Sequence, residues 1–228
     1  MSLLQRILRY DDPNSFGFRL RRRRSAAMRD LIEQCFDKTG ACRILDVGGE
    51  LIYWNLFTDE YLHKHRVRVT LLNNSHEYGS ARPDNPDRFN VVIGDACQLP
   101  FHDHAFDIVH SNSVIEHVGD WKRKLAFARE TRRVGRHYYV QMPSISFPLE
   151  PHYGVIYFQF LPEPVRVWML QHFALGRYPR LPDLAEAVRC HEEVRLISRK
   201  QFAYLFPDAE IRYEKLFGLV KSLMAIRP

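Results

Sequence analysis

Four apolar runs, each closing on small or polar residues, constrain this chain more than any other feature. They read CRILDVGGE (42–50), RVRVTLLNN (66–74), FNVVIGDA (89–96) and AFDIVHSN (105–112). A fifth, RHYYVQMPS (136–144), ends at Pro143. Short runs that are apolar almost throughout suit strands covered on both faces. Segments of helical period lie between several of them, and strands alternating with helices form a parallel sheet. Two final runs, Glu210 to Leu216 and Leu219 to Ile226, meet at Gly218 and predict an antiparallel pair at the sheet edge. The expected fold class is therefore α/β, doubly wound and mainly parallel, with seven strands and a small helical insertion after strand five.

The remaining elements follow from spacing and caps. Arg22 to Phe36 predicts one helix, stopped at Lys38-Thr39-Gly40. Leu51 to Leu62 predicts a second. Glu77 to Arg88 is polar, holds two prolines and is expected as loop. Asp120 to Val134 predicts a helix burying Trp121, Leu125 and Ala128. Pro164 suits the first turn of a helix reaching Phe173. Leu184 to Val188 predicts another helical turn. Ser198 is placed to cap RKQFAYLF, which Pro207 closes.

Composition narrows the class without naming a function. The chain has 228 residues, 46% hydrophobic and 26% charged, as expected of a globular protein with a sizeable core. No apolar run approaches the roughly 20 residues that span a bilayer. The N-terminus lacks the apolar core and cleavage site of a secretory signal. Four cysteines (Cys35, Cys42, Cys97, Cys190) are scattered with no C-x-x-C pair, so reduced thiols and a cytoplasmic location are expected. Net charge is +6, which is compatible with an anionic partner. The run Arg21 to Arg24 reads as a solvated helix start, with a binding patch as the alternative.

In a doubly wound sheet, ligands sit beyond the carboxyl ends of the strands. The first run here ends in Asp46-Val47-Gly48-Gly49-Glu50, and glycines permit close backbone approach. The second ends in Asn73, whose amide can both donate and accept. The third ends in Asp95-Ala96, a carboxylate and a backbone N–H suited to a base edge. The fourth ends in Ser111-Asn112, followed by Glu116-His117. A G-x-G-x-x-G turn is missing, and a pyrophosphate would face Glu50.

On these residues the chain resembles the class I S-adenosylmethionine-dependent methyltransferases, in particular the small-molecule branch similar to ubiquinone-biosynthesis enzymes (methyltransferase type 11). The carrying stretches are ILDVGGE, LLNNS, GDACQLPFHDHAFDIVHSNSVIEHV and RVGRHYYVQMP. The resemblance implies a Rossmann-like single domain over 1–228, with a helical cover at 1–40 and a substrate-side insertion at 145–190. It implies S-adenosyl-L-methionine as cofactor. Asp46, Gly48, Gly49 and Glu50 would hold the methionine part, and Asn73 would face the ribose. Asp95 and Ala96 would read the adenine. Ser111 and Asn112 would lie under the sulfonium, while Asp107 would support its strand. Glu50 stands where the family usually has glycine, and Asn73 where it usually has an acid.

For acceptor chemistry, a hydroxyl benefits from a base. His117, from the Glu-His pair, and His152, in FPLEPHY, are the candidates, with Glu150 orienting His152 or replacing it. The FP-x-EPHY pattern resembles methyltransferases acting on surface-sugar or lipid-linked metabolites, which implies O-methylation of a small-molecule acceptor. His63/His65 and His102/Asp103/His104 show metal-like spacing but lack a third ligand, so no metal site is expected. A nucleic-acid methyltransferase remains the alternative suggested by the basic run, although SNSV is not the motif of amino-group targets. A non-catalytic scaffold is the alternative suggested by Glu50 and Asn73.

Overall fold

The structure is a computed structural model that describes residues 12, 14–75 and 85–228. The N-terminal stretch weighed as a possible signal and most of the loop expected over 77–88 lie outside the described residues. Seven strands form one sheet: β1 (Cys42–Val47), β2 (Val67–Asn73), β3 (Phe89–Ile93), β4 (Phe106–Asn112), β5 (Gly135–Pro143), β8 (Glu210–Leu216) and β9 (Leu219–Arg227). Their order is β3-β2-β1-β4-β5-β9-β8. β1 lies parallel to both β2 and β4, β2 is parallel to β3, and β8 pairs antiparallel with β9. The order reverses between β1 and β4, which is the switch point of a doubly wound sheet. A separate hairpin joins β6 (Leu149–Glu150) to β7 (Val155–Ile156).

The chain forms two compact units. The first runs through Asn112 and adds Arg129–Val140 and Arg227–Pro228; the second is Ser113–Ala128 with Gln141–Ile226.

In the first unit, Cys42, Ile44, Leu45 and Val47 of β1 are all buried, as a strand covered on both faces requires. The single expected helix over 22–36 is instead two, α1 (Phe16–Arg24) and α2 (Ala26–Thr39). Ser25 makes the break. Its backbone N–H donates to Arg21 O at 2.8 Å and its hydroxyl to Arg22 O at 2.9 Å, closing the first helix. The arginine run thus ends a helix rather than starting one, where cations meet the negative pole of the helix dipole. α2 buries Met28, Leu31 and Ile32, worth about 1.5–3 kcal/mol each. Gly40, at φ 72, turns the chain out of it into β1.

The helix expected over 51–62 is also divided, into α3 (Leu51–Trp54) and α4 (Asp59–Lys64). Thr58 caps the second by accepting from Tyr61 N at 3.2 Å.

α5 (Trp121–Val134) is present, but its buried face differs from expectation. Trp121 and Leu125 are 38% and 40% exposed, whereas Lys124, Phe127, Ala128 and Thr131 are buried. The Lys124 ammonium donates to Ile115 O at 2.9 Å and Gly119 O at 2.8 Å, so a lysine occupies a position that periodicity gives to an apolar residue.

Further along α5, Glu130 accepts from Leu99 N at 3.0 Å and from Arg133 Nη2 at 2.7 Å. Arg133 chiefly, with the Leu99 N–H, holds its carboxyl below the usual range. A depressed folded-state pKa adds stability above the unfolded value and loses it as pH falls through the folded one. Glu130→Gln is expected to cost about 1.5–3 kcal/mol at pH 7. The deficit should shrink towards pH 3, and urea melts at the two pH values would show it.

In the second unit, α6 (Glu163–His172) and α7 (Leu184–Glu192) enclose a core of Tyr153, Phe158, Val167, Leu170, Leu175, Ala187, Cys190 and Val194. α6 carries Pro164 in its first turn, as expected. α8 (Arg199–Leu205) starts on a full capping box between Ser198 and Gln201. All four cysteines are free and buried. Among the described residues no helix is long and apolar enough to cross a membrane.

Candidate active site

The four expected strand tips share one edge of the first unit. Register places Val47 level with Leu72, Asn73 level with Ile93, and Asp46 level with His110. Four strands at about 4.8 Å spacing make a tip row roughly 14 Å long, suited to an extended nucleoside with an amino-acid tail.

Several side chains assigned to this row are committed to the fold. Asp46 is 1% exposed. Its Oδ2 accepts from Trp54 Nε1 at 2.9 Å, and its Oδ1 lies 2.6 Å from His110 Nδ1. A Cβ on Gly49 would lie 2.2 Å from Asp46 Oδ2, so glycine is required there by the carboxylate folded over it. Gly48, at φ 68, makes the turn, and its N–H donates to Leu72 O at 2.7 Å. Asn73 is buried and donates through Nδ2 to Gly49 O at 2.9 Å, tying β2 to the same turn. The Ser111 hydroxyl is buried and donates to Val47 O at 3.1 Å.

The other residues of the row are more open. Glu50 is exposed at the N-cap of α3 and makes no capping bond through its side chain. Asp95 is exposed; its Oδ1 accepts from Cys97 N at 2.9 Å, a turn that leaves Ala96 at the tip. Asn112 accepts from Arg24 Nη2 at 2.8 Å through Oδ1. Exposed carboxylates at Glu50 and Asp95 suit a cationic group at those two tips, while the Arg24 guanidinium brings a positive charge to the Asn112 end of the row. Asp107 accepts from Arg43 N at 2.9 Å, the strand-support position expected of it.

The sequence reading missed the aromatic box behind Asp46. Tyr53, Trp54 and Tyr139 surround His110, with ring centroids 4.2, 5.9 and 5.5 Å from it. A histidine inside the apolar run DIVHS was the available signal.

The candidate acceptor residues all lie in the second unit. Glu150 ends β6 and is buried. Its Oε2 accepts from the backbone N–H groups of His152 and Tyr153, both at 2.9 Å. Its Oε1 lies 2.7 Å from His152 Nδ1. A carboxylate accepting there puts the imidazole proton on Nδ1 and leaves the Nε2 lone pair open. His152 Nε2 lies 3.9 Å from Glu116 Oε1. Glu116, which sequence reading treated only as the neighbour of His117, is 1% exposed, and neither of its oxygens has a hydrogen-bond partner. Burial pushes its carboxyl up to about 7, against the pull of His152.

His117 Nδ1 lies 3.1 Å from Glu193 O, and its ring meets that of His152 edge-on at 4.9 Å. His117 keeps part of its surface exposed. Desolvation of the rest, with His152 adding to it, pushes its pKa down to about 4. Glu150 also forms part of the wall of a cavity of about 440 Å³, together with Gln159, Glu163, Arg166, His191 and Arg195. His63/His65 and His102/His104 join no cluster of metal-ligating side chains among the described residues.

The family model for a methyltransferase domain matches residues 55–137. That span includes Asn73, Asp95, Ser111 and Asn112 but begins after the Asp46–Glu50 turn. No curated protein matches the sequence. Among solved structures, the PH0226 protein from Pyrococcus horikoshii aligns at TM-score 0.53 and 16% identity, covering 99% of this chain and 98% of that one. The methyltransferase domain of a bacterial Hen1, CtHen1-CN, aligns at TM-score 0.50 and 14% identity, covering 87% and 96%. A structure from Galdieria sulphuraria matches over only 51% of this chain and 45% of its own length, at TM-score 0.39 and 19% identity. At such identities the likeness speaks for the fold. Together these matches give this chain a methyltransferase-like fold that carries a methyltransferase-domain match over residues 55–137.

Proposed function

We propose that the chain transfers the methyl group of S-adenosylmethionine to a hydroxyl of a small polar acceptor, such as a sugar or a lipid-linked metabolite. The Glu150–His152 hydrogen bond, which leaves Nε2 as a free acceptor, is the observation that carries this reading. The sulfonium supplies an activated methyl, so the protein's work is positioning, desolvation and handling of the acceptor proton. His152 takes that proton through Nε2 as the hydroxyl oxygen attacks, and Glu150 steadies the imidazolium.

The cavity in the second unit supports a polar acceptor. Gln159 Oε1 and Arg166 Nε are buried without a hydrogen-bond partner; a ligand hydroxyl would donate to the first, and a hydroxyl or phosphate oxygen would accept from the second. Residues 145–190 then form the substrate-side part of one methyltransferase domain. In the same segment Tyr157, Phe160, Trp168 and Phe173 are half or more exposed, which suits an acceptor with an apolar portion.

The cofactor reading assigns Asp46, Gly48, Gly49 and Glu50 to the methionine end, Asn73 to the ribose, Asp95 and Ala96 to the adenine, and Ser111 and Asn112 to the sulfonium. For Asp46 and Ser111 this role is indirect, through the backbone they hold. Asp95→Ala should weaken S-adenosylmethionine binding by about 1.5–3 kcal/mol in calorimetry. An unchanged affinity would remove Asp95 from the site.

The reading as a whole is tested by incubating the protein with methyl-labelled cofactor and a metabolite extract, then separating labelled products. Label in a base-labile ester or an amine would contradict hydroxyl transfer. A protein whose melting temperature ignores millimolar S-adenosylmethionine and S-adenosylhomocysteine would contradict cofactor use.

A further inference from the structure

Glu116, His117 and His152 bring one ligand atom each within 4.8 Å of one another. From this cluster we propose a binding site for one divalent first-row transition-metal ion, with Glu116, His117 Nε2 and His152 Nε2 as its protein ligands.

Each ligand is prepared from behind. Histidines that bind metals characteristically donate their other ring N–H to a carboxylate or a backbone carbonyl, which fixes the tautomer and aims the lone pair. His152 has Glu150 Oε1 at 2.7 Å from Nδ1, and His117 has Glu193 O at 3.1 Å from Nδ1. Both partners therefore direct Nε2 as the ligating atom. Glu116 supplies the independent sign of a ligand, because its side chain is wholly buried and both its oxygens lack a hydrogen-bond partner. A buried carboxylate in that condition is costly unless a cation meets it.

The surrounding backbone is held firmly. The Glu116 carbonyl accepts from Arg195 N at 2.9 Å, and Lys124 ties the Ile115 and Gly119 carbonyls. Ligand atoms about 2.0–2.2 Å from a shared ion stand roughly 3–4 Å apart, so the cluster closes by about an ångström on binding. Two imidazoles and one carboxylate select zinc, cobalt, manganese or iron over calcium or magnesium. Three protein ligands leave positions open for water or an acceptor oxygen.

This inference rests on the same residues as the acceptor-base reading and is its alternative at one atom, since an ion on Nε2 makes His152 a ligand and leaves proton acceptance to the metal-free protein. Its test therefore needs no methyl transfer. Chelator-stripped full-length protein titrated with Co²⁺ should take up one equivalent and develop the visible d–d bands of an imidazole-containing site. Zn²⁺ should displace it. Glu116→Gln, which keeps the shape of the side chain, and His117→Ala, at a partly exposed residue, should each weaken Co²⁺ binding at least tenfold and change the bands. Glu150→Gln should weaken it by about 10–100-fold.

Binding and bands that persist unchanged in Glu116→Gln and His117→Ala would overturn the site, as would no uptake by the parent protein. A protein that methylates its acceptor in excess chelator and takes up no cobalt removes the metal site and leaves the methyltransferase reading standing. Cobalt uptake by a protein that binds no S-adenosylmethionine does the reverse.

Discussion

His152→Ala is expected to lower kcat by about 10²–10⁴-fold, the usual worth of a positioned proton-transfer group. Affinity for S-adenosylmethionine should not change, because every residue assigned to the cofactor belongs to the other compact unit. The split between turnover and cofactor affinity is the informative part. Loss of His152 frees Glu150 Oε1 but leaves its Oε2 accepting from Tyr153 N, so the local turn has a reason to survive. Single-turnover rates with labelled cofactor, alongside calorimetric cofactor binding, would check both halves. Equal kcat in the variant removes His152 from the chemistry. A parallel loss of cofactor affinity would mean that the substitution damages the fold instead.

Asp46→Ala is expected to be the most destabilising single change in the first unit. The carboxylate is buried between Trp54 Nε1 and His110 Nδ1, and the His110 ring is enclosed by Tyr53, Trp54 and Tyr139. His110 Nε2 already lacks a partner. Removing Asp46 strands both donors where water cannot replace it, a loss of about 3–5 kcal/mol by analogy with broken buried pairs. For a chain of this size that is a fall in melting temperature of roughly 6–20 °C. Asp46→Asn keeps an oxygen for one donor and should fall between the two. A melting temperature within two or three degrees of the parent for Asp46→Ala would show that the pair does not hold the turn.

The parallel sheet was legible because its strands are apolar and end abruptly in Gly, Asn and Asp; β1, β2 and β4 are largely buried as that pattern implies, whereas β3, at the sheet edge, buries no residue. That pattern survives without any knowledge of neighbours. The turn at Asp46–Glu50 was only half legible: glycines announced a close approach, but the approaching group is the chain's own Asp46 carboxylate. Its partners His110 and Trp54 come from a different strand and a different helix, and no spacing rule links them. Lys124 misled the periodicity of α5, because its ammonium is satisfied by two backbone carbonyls. Ser25 divided a helix that its flanking residues would have continued. Glu116-His117 and Glu150-x-His152 each stood out in the sequence. Their convergence did not, since thirty-odd residues and a strand separate them.

The fit between Gly49 and Asp46 carries a consequence for altering this protein. A methyl group at 49 and a carboxylate at 46 claim the same volume, so neither position can vary by itself without penalty. Shortening residue 46 to alanine removes the two 2.2 Å contacts but leaves its Cβ 2.7 Å from a methyl at 49, so the double substitution should cost only somewhat less than its two halves added together. Library designs that randomise the cofactor turn one residue at a time would score both sites as immutable, while sampling them as a linked pair opens combinations that single-site scans conceal.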